Sequence, residues 1–200
     1  YTPSPHYKDA RGRLLNKIPF PIHTVSHIET NDNIGAVSVE NFTYEGGSFY
    51  VDESDVYKNT FAGFSKVRKT SGIGDASESY YFTGIRGDAS DHYSLMGRMR
   101  RQDFFERDGS RLKSVFLNYS HSDLADSRYL VQLDSEVSKS YDPTGEPRVS
   151  AIGYEYDLHG NIRTQTEYGE VELNDDGGFS DIGEDKKSSD FTYAVHENGR

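Results

Sequence analysis

The chain has 200 residues, no cysteine and a net charge of −11. This composition excludes a disulfide framework and thiolate chemistry, and the negative charge disfavours general binding to nucleic acid. Hydrophobic residues make up only 34% of the sequence, which is low for a compact globule, whereas aromatic residues reach 13%. We therefore expect thin β-sheets wetted on both faces, in which tyrosine supplies apolar area and a polar tip. No apolar run is long enough for direct membrane insertion.

The first stretch, residues 1–70, predicts an extended arm followed by strands. Pro19 and Pro21 restrict the chain around Phe20 to extended structure, at most an edge strand. Runs rich in β-branched or aromatic residues then alternate with polar or glycine turns, which is the pattern of short strands. The predicted strands cover 23–30, 36–44 and 61–67, with turns at 31–33 and at Gly46-Gly47.

The histidines of this stretch raise the question of a metal site. His23 and His27 are four residues apart, with Glu29 nearby, and on a helix that spacing could bind zinc. The residues between them favour a strand, in which four residues span about 13 Å, too far for shared ligation. We expect structural or surface histidines. The acidic and amide residues at 31–33 and at 175–178 likewise predict a turn and a solvated loop, since neither supplies the ligand pattern of a calcium loop.

The second stretch, residues 78–137, predicts strands over 80–82, 95–107, 112–119 and 127–133. Asp108-Gly109 stands between two of these runs and is a strong hairpin signal. Basic residues crowd around it, and they are Arg98, Arg100, Arg101, Arg107, Arg111 and Lys113. Because Asp103, Glu106 and Asp108 stand among them, we expect cross-strand ion pairs. The open alternatives are a nucleic-acid-binding ribbon and a contact surface for another polypeptide.

The third stretch, residues 147–200, contains the most informative pattern. Tyr154 and Tyr156 fall on one face of a predicted strand, since side chains alternate. Asp157, Gly160 and Asn161 supply turn chemistry, because Asp bonds its own backbone and Gly and Asn tolerate positive φ. On the strand that follows, alternation predicts one face with Ile162, Thr164, Thr166 and Tyr168, and an opposite face with Arg163, Gln165 and Glu167.

Two further features mark the end of the chain. Residues 167–190 hold nine acids and two bases, which predicts a solvated acidic loop, with bounds at 169–190. Residues 191–200 then repeat the order aromatic-x-Tyr and Asn-Gly, 37 residues after Tyr154, as a degenerate second copy of the hairpin motif. Because residue 1 is not Met and the chain ends within this second copy, we expect it to be a piece of a longer protein.

The hairpin motif of Tyr154, Tyr156, Asp157, Gly160 and Asn161 resembles one copy of the tyrosine-aspartate (YD) repeat of Rhs proteins. The preceding residues resemble, in order, the middle region of the B component of bacterial insecticidal toxin complexes. The segments that carry this second resemblance include Tyr1-Thr2-Pro3-Ser4, residues 11–25, Phe42-Thr43-Tyr44-Glu45-Gly46-Gly47, Phe61-Ala62-Gly63-Phe64, Phe82-Thr83-Gly84, residues 96–101 and residues 127–131. The family's charged run before Phe-x-Gly-Phe is replaced here by residues 55–60, as in a divergent relative.

The resemblance implies an all-β fold of antiparallel β-hairpins that form a curved open sheet, part of a YD-repeat shell. Residues 1–146 correspond to the middle region, and residues 147–200 to the start of the YD repeats. The implied function is non-catalytic: a secreted or cell-surface bacterial shell that encapsulates a toxic polypeptide. The implied partners are the remainder of the shell protein and a C-component-like toxin. In such a shell, the acidic loop could also line the lumen and repel or hold a cationic cargo.

Two other classes of protein remain open at this stage. A secreted β-rich carbohydrate-binding or adhesin module would use the tyrosines as a stacking platform for its ligand. An acid-dependent enzyme would use the histidines, aspartates and serines, although the sequence contains no Gly-x-Ser-x-Gly nucleophile elbow. The sequence indicates no catalytic residue, no metal and no cofactor.

Overall fold

The computed structural model describes residues 2–3, 18, 20–50, 59–84, 91–124, 128–142 and 145–194. These residues are mostly in β-strands, and they include a short 3₁₀-helix at Tyr93–Leu95. The expected all-β fold is confirmed. None of the described residues belongs to a helix with the length and apolarity needed to cross a bilayer.

The described part of the chain contains fourteen strands. They are β1 (Thr2–Pro3), β2 (His23–Thr24), β3 (His27–Asn31), β4 (Val37–Tyr50), β5 (Thr60–Ser71), β6 (Ala76–Tyr81), β7 (Met99–Phe105), β8 (Arg111–Leu124), β9 (Arg128–Ser140), β10 (Arg148–Tyr156), β11 (Ile162–Tyr168), β12 (Val171–Leu173), β13 (Phe179–Asp181) and β14 (Lys187–Asp190). Ten of them form one large antiparallel sheet in the order β14-β11-β10-β9-β8-β7-β6-β5-β4-β3. Two smaller sheets pair β1 with β2 and β12 with β13.

The chain divides into two compact units, residues 1–115 and residues 116–200. In the second unit, Val137, Ala151 and Val171 form an apolar core, against which half-buried rings and aliphatic side chains pack. In the first unit, the buried residues are mostly small or polar. The domain boundary expected at residue 146 was placed between two sequence motifs and not between compact units. That boundary stays a prediction.

The hairpin turns share one construction. In five of them the amide of the first residue donates to the carbonyl of the fifth at 2.8 to 3.2 Å, and a glycine with φ between 83° and 115° stands fourth. This is the three-residue hairpin loop with a left-handed glycine, whose twist suits the flanking strands. The five turns are residues 32–36, 71–75, 106–110, 157–161 and 174–178. The hairpins predicted at Asp108-Gly109 and at Gly160-Asn161 are thus confirmed.

Two predictions for the first stretch are wrong. Residues 23–30 form two strands in different sheets, because the carbonyl of Ser26 accepts a hydrogen bond from the Phe42 amide and the chain changes partner there. Gly46-Gly47 lies inside β4 and makes no turn. Gly46 has φ of 63°, and a Cβ there would collide with the Ser65 hydroxyl, so glycine permits close approach of β4 and β5.

The strand predicted over 95–107 begins only at Met99. The preceding residues turn instead: the amide of Gly97 donates to the Phe82 carbonyl at 2.9 Å, and the Phe82 amide donates to the Arg98 carbonyl at 3.0 Å. These bonds satisfy backbone groups that would otherwise be left without partners beyond the end of β6.

The acidic segment is not a loop, which corrects the prediction for residues 169–190. It contains β12, β13 and β14. Val171 is only 3% exposed and belongs to the core of the second unit, where Leu173 and Phe179 pack against it. Charge dominates the composition of this segment, but three well-spaced apolar side chains are enough to hold the β12–β13 hairpin against the sheet.

The register of β10 and β11 places Ile162 on a different face of β11 from the one predicted. Tyr154 lies opposite Gln165 and Tyr156 lies opposite Ile162, so the two tyrosines share a face as predicted. Thr164 lies opposite Glu155, on the other face. A register shift next to Tyr156 inserts an extra residue in β11, and this bulge separates Ile162 from the face of Thr164, Thr166 and Tyr168.

The positive φ of 83° at Gly160 predicts a specific mutational cost. Gly160→Ala should lower the free energy of unfolding by about 1–2 kcal/mol, because L-residues other than Asn and Asp rarely adopt this conformation. Since no atom lies within 4 Å of the added Cβ, the cost is purely conformational. Gly160→Asn is the control and should cost clearly less in urea unfolding. Equal losses for the two variants would show that the backbone conformation is not the cause.

Candidate functional site

The residues weighed as metal ligands are not brought together. His23 is on β2, whereas His27 and Glu29 are exposed on β3, in a different sheet. Asp32 caps its own turn, because its Oδ1 accepts from the amides of Ile34 at 2.9 Å and Ala36 at 3.0 Å. Asp176 accepts from the Gly178 amide at 2.8 Å in the same way. Among the residues that the structure describes, no group of three or more His, Asp or Glu could hold a metal ion.

The turn of the YD-like motif is closed by its own side chains. Asp157 Oδ1 accepts from the amides of His159 at 2.8 Å and Asn161 at 2.9 Å, and its Oδ2 accepts from Asn161 Nδ2 at 3.0 Å. The side-chain and backbone bonds from Asn161 lower the pKa of Asp157. Gly160, and not Asn161, supplies the positive φ. These residues therefore build a rigid turn.

The tyrosines of the motif contact the sheet. The Tyr156 hydroxyl donates to the carbonyl of Leu133 on β9 at 2.8 Å. Tyr154 and Tyr156 are both half-buried, and burial raises the pKa of each, with a further contribution from Glu136 for Tyr154. The Tyr156 ring therefore links β10 to β9, and its hydroxyl is already used within the protein.

The basic residues predicted to form ion pairs lead to the most highly organised polar site in the described part of the first unit. We call it the ionic cluster. Cross-strand pairing places Arg68, Glu78 and Asp103 opposite one another on β5, β6 and β7. Lys66, Tyr80 and Arg101 form the adjacent row on the same face, since side chains two residues apart share a face. The members are Lys66, Arg68, Glu78, Tyr80, Arg101, Asp103, Arg111 and Ser114.

Asp103 is the centre of the ionic cluster and is 0% exposed. Arg101 holds it with two hydrogen bonds, from Nε to Oδ1 at 2.9 Å and from an Nη to Oδ2 at 2.7 Å. Ser114 donates to Oδ1 at 2.7 Å, and Arg111 lies 3.6 Å from Oδ2. A paired geometry of this kind is needed to offset the cost of burying a carboxylate. The pair with Arg111 crosses strands as predicted, whereas the stronger pair with Arg101 runs along a single strand.

Glu78 is the second buried acid and is 8% exposed. It accepts from Arg68 at 2.7 Å and from the Tyr80 hydroxyl at 2.6 Å, and Lys66 lies 3.0 Å away. Burial raises the pKa of Glu78, but the bonds from Tyr80, Lys66 and Arg68 outweigh it and lower the pKa to about 2. Burial and the bond to Glu78 raise the pKa of Tyr80 to about 12. Glu78 is therefore ionised and Tyr80 neutral over the physiological range.

Aromatic rings complete the ionic cluster. The Tyr80 ring centroid lies 5.7 Å from Lys66 Nζ and 5.4 Å from Arg101 Cζ. The Phe105 centroid lies 5.7 Å from Arg68 Cζ and 5.5 Å from Arg111 Cζ. Each ring thus lies beside two cations, where a cation–π contact contributes on the order of 0.5–1 kcal/mol. Long side chains and rings shield the two carboxylates from water.

Sequence reasoning found only half of the ionic cluster. The basic residues around Asp108-Gly109 indicate Arg101, Asp103 and Arg111. The other members of the ionic cluster, on β5 and β6, were missed. The available signal was the alternation of charged and tyrosine residues two apart, in Lys66-x-Arg68 and Glu78-x-Tyr80. Elsewhere, Asp91 is also buried, and its carboxylate accepts from the amides of Thr83 and Gly84 at 2.9 and 2.8 Å. Asp91 thereby clamps the loop at Thr83 and Gly84.

No family model and no curated protein matches the sequence. The fold, however, is similar to that of two crystal structures of TcdB2-TccC3. The one without the hypervariable C-terminal region has a TM-score of 0.58 and 18% identity, over 74% of this chain and 10% of that chain. The other has a TM-score of 0.57 and 17% identity, over 78% of this chain and 11% of that chain.

These comparisons define the class of protein by its fold. The chain has the all-β fold of a segment of the TcdB2-TccC3 toxin complex, spans about a tenth of the length of those chains, and at this identity shares the fold alone. The expected likeness to a toxin complex is confirmed at the level of the fold. The assignment to the middle region of a B component stays a prediction.

The burial of Asp103 predicts a large loss of stability when its charge is removed. Asp103→Asn should lower the free energy of unfolding by about 2 kcal/mol, because the hydrogen bonds from Arg101 and Ser114 lose their charged acceptor, while the partly exposed Arg101 can be rehydrated. The matched control is Glu155→Gln, which breaks the exposed 2.7 Å pair with Arg163 and should cost under about 1 kcal/mol. Urea unfolding of both variants measures the difference. Similar losses would mean that the ionic cluster does not stabilise the sheet.

The lowered pKa of Glu78 predicts a defined pH dependence. Its pKa falls from 4.5 to about 2 on folding, so its ionisation stabilises the fold fully above pH 4.5 and the effect is lost as the pH falls towards 2. The difference in unfolding free energy between the native chain and Glu78→Gln should therefore shrink across that range. A difference that stays constant from pH 6 to about pH 2 would exclude ionised Glu78 as the source.

Proposed function

We propose that this chain is a non-catalytic structural segment of an Rhs-like YD-repeat toxin shell, which encapsulates a toxic polypeptide. Residues 1–146 would be the middle-region-like part, and residues 147–200 the start of the repeats. The similarity to a segment of TcdB2-TccC3 supports this proposal through the fold.

The observation that carries the proposal is the way in which the first unit is stabilised. Its described buried apolar residues are Ala62, Ala76 and Leu95, which are too few and mostly too small for a thick apolar core. The ionic cluster instead links β5, β6, β7 and β8 side by side, within the sheet. Lateral bonding of this kind suits a wall, since it does not require a second layer of structure on either face.

The non-catalytic role is supported by the use already made of the buried acids. Asp103, Glu78 and Asp91 each accept hydrogen bonds from neighbouring side chains or amides that fix their position. A general base must lie within hydrogen-bond reach of the proton that it takes from the substrate. These three carboxylates instead accept hydrogen bonds from groups within the fold.

The proposed partners are the remainder of the shell protein and a C-component-like toxin, and the proposed location is secreted or cell-surface. A shell assembled from more than one component would agree with the two-part name of TcdB2-TccC3. Nucleic acid is not a proposed partner, because the net charge of the chain is −11 and two arginines of the first unit, Arg68 and Arg101, pair with Glu78 and Asp103.

Encapsulation predicts protection from proteases. The complete gene product that contains this chain should be expressed with its C-component-like partner, and the complex treated with a nonspecific protease. We expect the enclosed polypeptide to remain intact under conditions that digest the same polypeptide purified alone, because a closed wall excludes the enzyme. The time course is read by mass spectrometry.

The control is the same complex unfolded in denaturant before digestion, in which protection should disappear. Equal digestion rates in the intact complex and in isolation would refute the shell. A glycan array of the purified chain tests the carbohydrate-binding alternative: binding that is lost in Tyr154→Ala and Tyr156→Ala would assign the tyrosines to a ligand site instead.

A further inference from the structure

Two hairpin tips lie next to each other at one end of β6 and β7. Ala76 and Phe105 form the last pair between these strands, so the turns at 71–75 and 106–110 both leave the sheet at this end. The tips are in contact, since a Cβ added at Gly74 would lie 2.7 Å from Arg107 Cγ. Both turns belong to the first unit.

Two open cavities adjoin these tips. One has a volume of about 400 Å³ and is lined by residues that include Ser71, Ile73, Phe104 and Leu112. The other has a volume of about 580 Å³ and is lined by Asp75, Glu106, Arg107, Asp108 and Leu112. Because Asp75 and Leu112 line both, the two cavities form one groove, which we call the tip groove.

The tip groove exposes apolar side chains that no described residue covers. Ile73 is 71% exposed and Leu112 is 41% exposed, and the half-buried Phe104 lies between β6 and β8. Apolar side chains grouped around a concave surface favour a bound partner. The Oγ of Ser71, a residue that lines the first cavity, is buried and has no hydrogen-bond partner among the residues that the structure describes. An unsatisfied buried hydroxyl costs stability unless a ligand or water completes it.

The charge of the tip groove selects the partner. Lys69 is neutralised by Glu40 at 2.8 Å, so it adds no free positive charge. The carboxylates of Asp75 and Glu106 make no hydrogen bond or ion pair with a described residue, and Asp108 adds a third negative charge beside the single Arg107. The groove therefore combines apolar side chains with an excess of negative charge, which is complementary to a cation carried next to apolar groups.

We propose that the tip groove binds an extended polypeptide segment in which a basic side chain is two residues from apolar side chains. Residues two apart in an extended chain point to the same side, so all three side chains can enter the groove together. The apolar pair contacts Ile73 and Leu112, and the cation lies between the carboxylates of Asp75 and Glu106. This assignment does not depend on the shell proposal, since the groove could bind such a segment in any parent protein.

The test uses the full chain and two dye-labelled synthetic peptides, Leu-Ser-Lys-Ser-Leu and Leu-Ser-Glu-Ser-Leu, both blocked at their ends. Fluorescence anisotropy should show saturable binding of the lysine peptide, weakened by added salt, and no binding of the glutamate peptide. Asp75→Asn should weaken binding by about fivefold, the effect of losing one partly exposed ion pair. Leu112→Ser should weaken it by a similar factor.

Matched controls come from exposed positions in the second unit. Asp175→Asn makes the same change of charge in another turn, and Leu124→Ser removes an equally exposed leucine. Neither should alter binding, and circular dichroism checks that each variant is folded. The proposal is overturned if the lysine peptide does not bind, if the two peptides bind equally, or if the controls weaken binding as much as the groove variants. Competition by free butylamine at the same concentration as the peptide would also overturn it, because the groove would then recognise an ammonium group alone.

Discussion

The buried carboxylate of Asp103 constrains the first unit more than any other described group. A carboxylate without water must be paired and hydrogen-bonded, and Arg101 and Ser114 do this at 2.7 to 2.9 Å. The Ser114 bond crosses from β8 to β7 and exists only in one alignment of these two strands, whereas the Arg101 bonds lie within β7. A slip of one residue would turn Asp103 to the opposite face and replace it by an apolar ring, Phe104. The Ser114 bond to this buried carboxylate therefore also fixes the register of β7 with β8.

In the second unit, apolar packing holds the strands in register. Val137, Ala151 and Val171 are almost completely buried and form one core. The β12–β13 hairpin contributes Val171 to this core, and its Leu173 and Phe179 pack against the core. Asn118 also donates a hydrogen bond to the Gly177 carbonyl in the turn of that hairpin. An acidic segment thus becomes part of the core, because a few apolar side chains at strand spacing outweigh the surrounding charge once they are buried.

The ion pairs of the first unit also bear on function. A sheet held laterally by ion pairs can keep polar residues on its faces, which agrees with the low apolar content of the chain and with its likeness to a segment of TcdB2-TccC3. The tip groove departs from this pattern, since it exposes Ile73 and Leu112 beside acids that have no partner in the described residues. On the proposed function, a segment of a shell wall would therefore also carry a local site for another polypeptide at its hairpin ends.

The all-β class and the turns at Asp108-Gly109 and Asp157–Asn161 could be predicted from the sequence, because alternation and left-handed glycines act over a few residues. The acidic partner of Arg101 and Arg111 could be predicted in the same way, since Asp103 is close to both in the chain. The completion of the ionic cluster by Glu78, Lys66 and Arg68, the place of Gly46 inside a strand and the burial of Val171 became clear only from the folded chain. These outcomes depend on which strands become neighbours and in which register, and that choice depends on contacts between residues far apart in the chain.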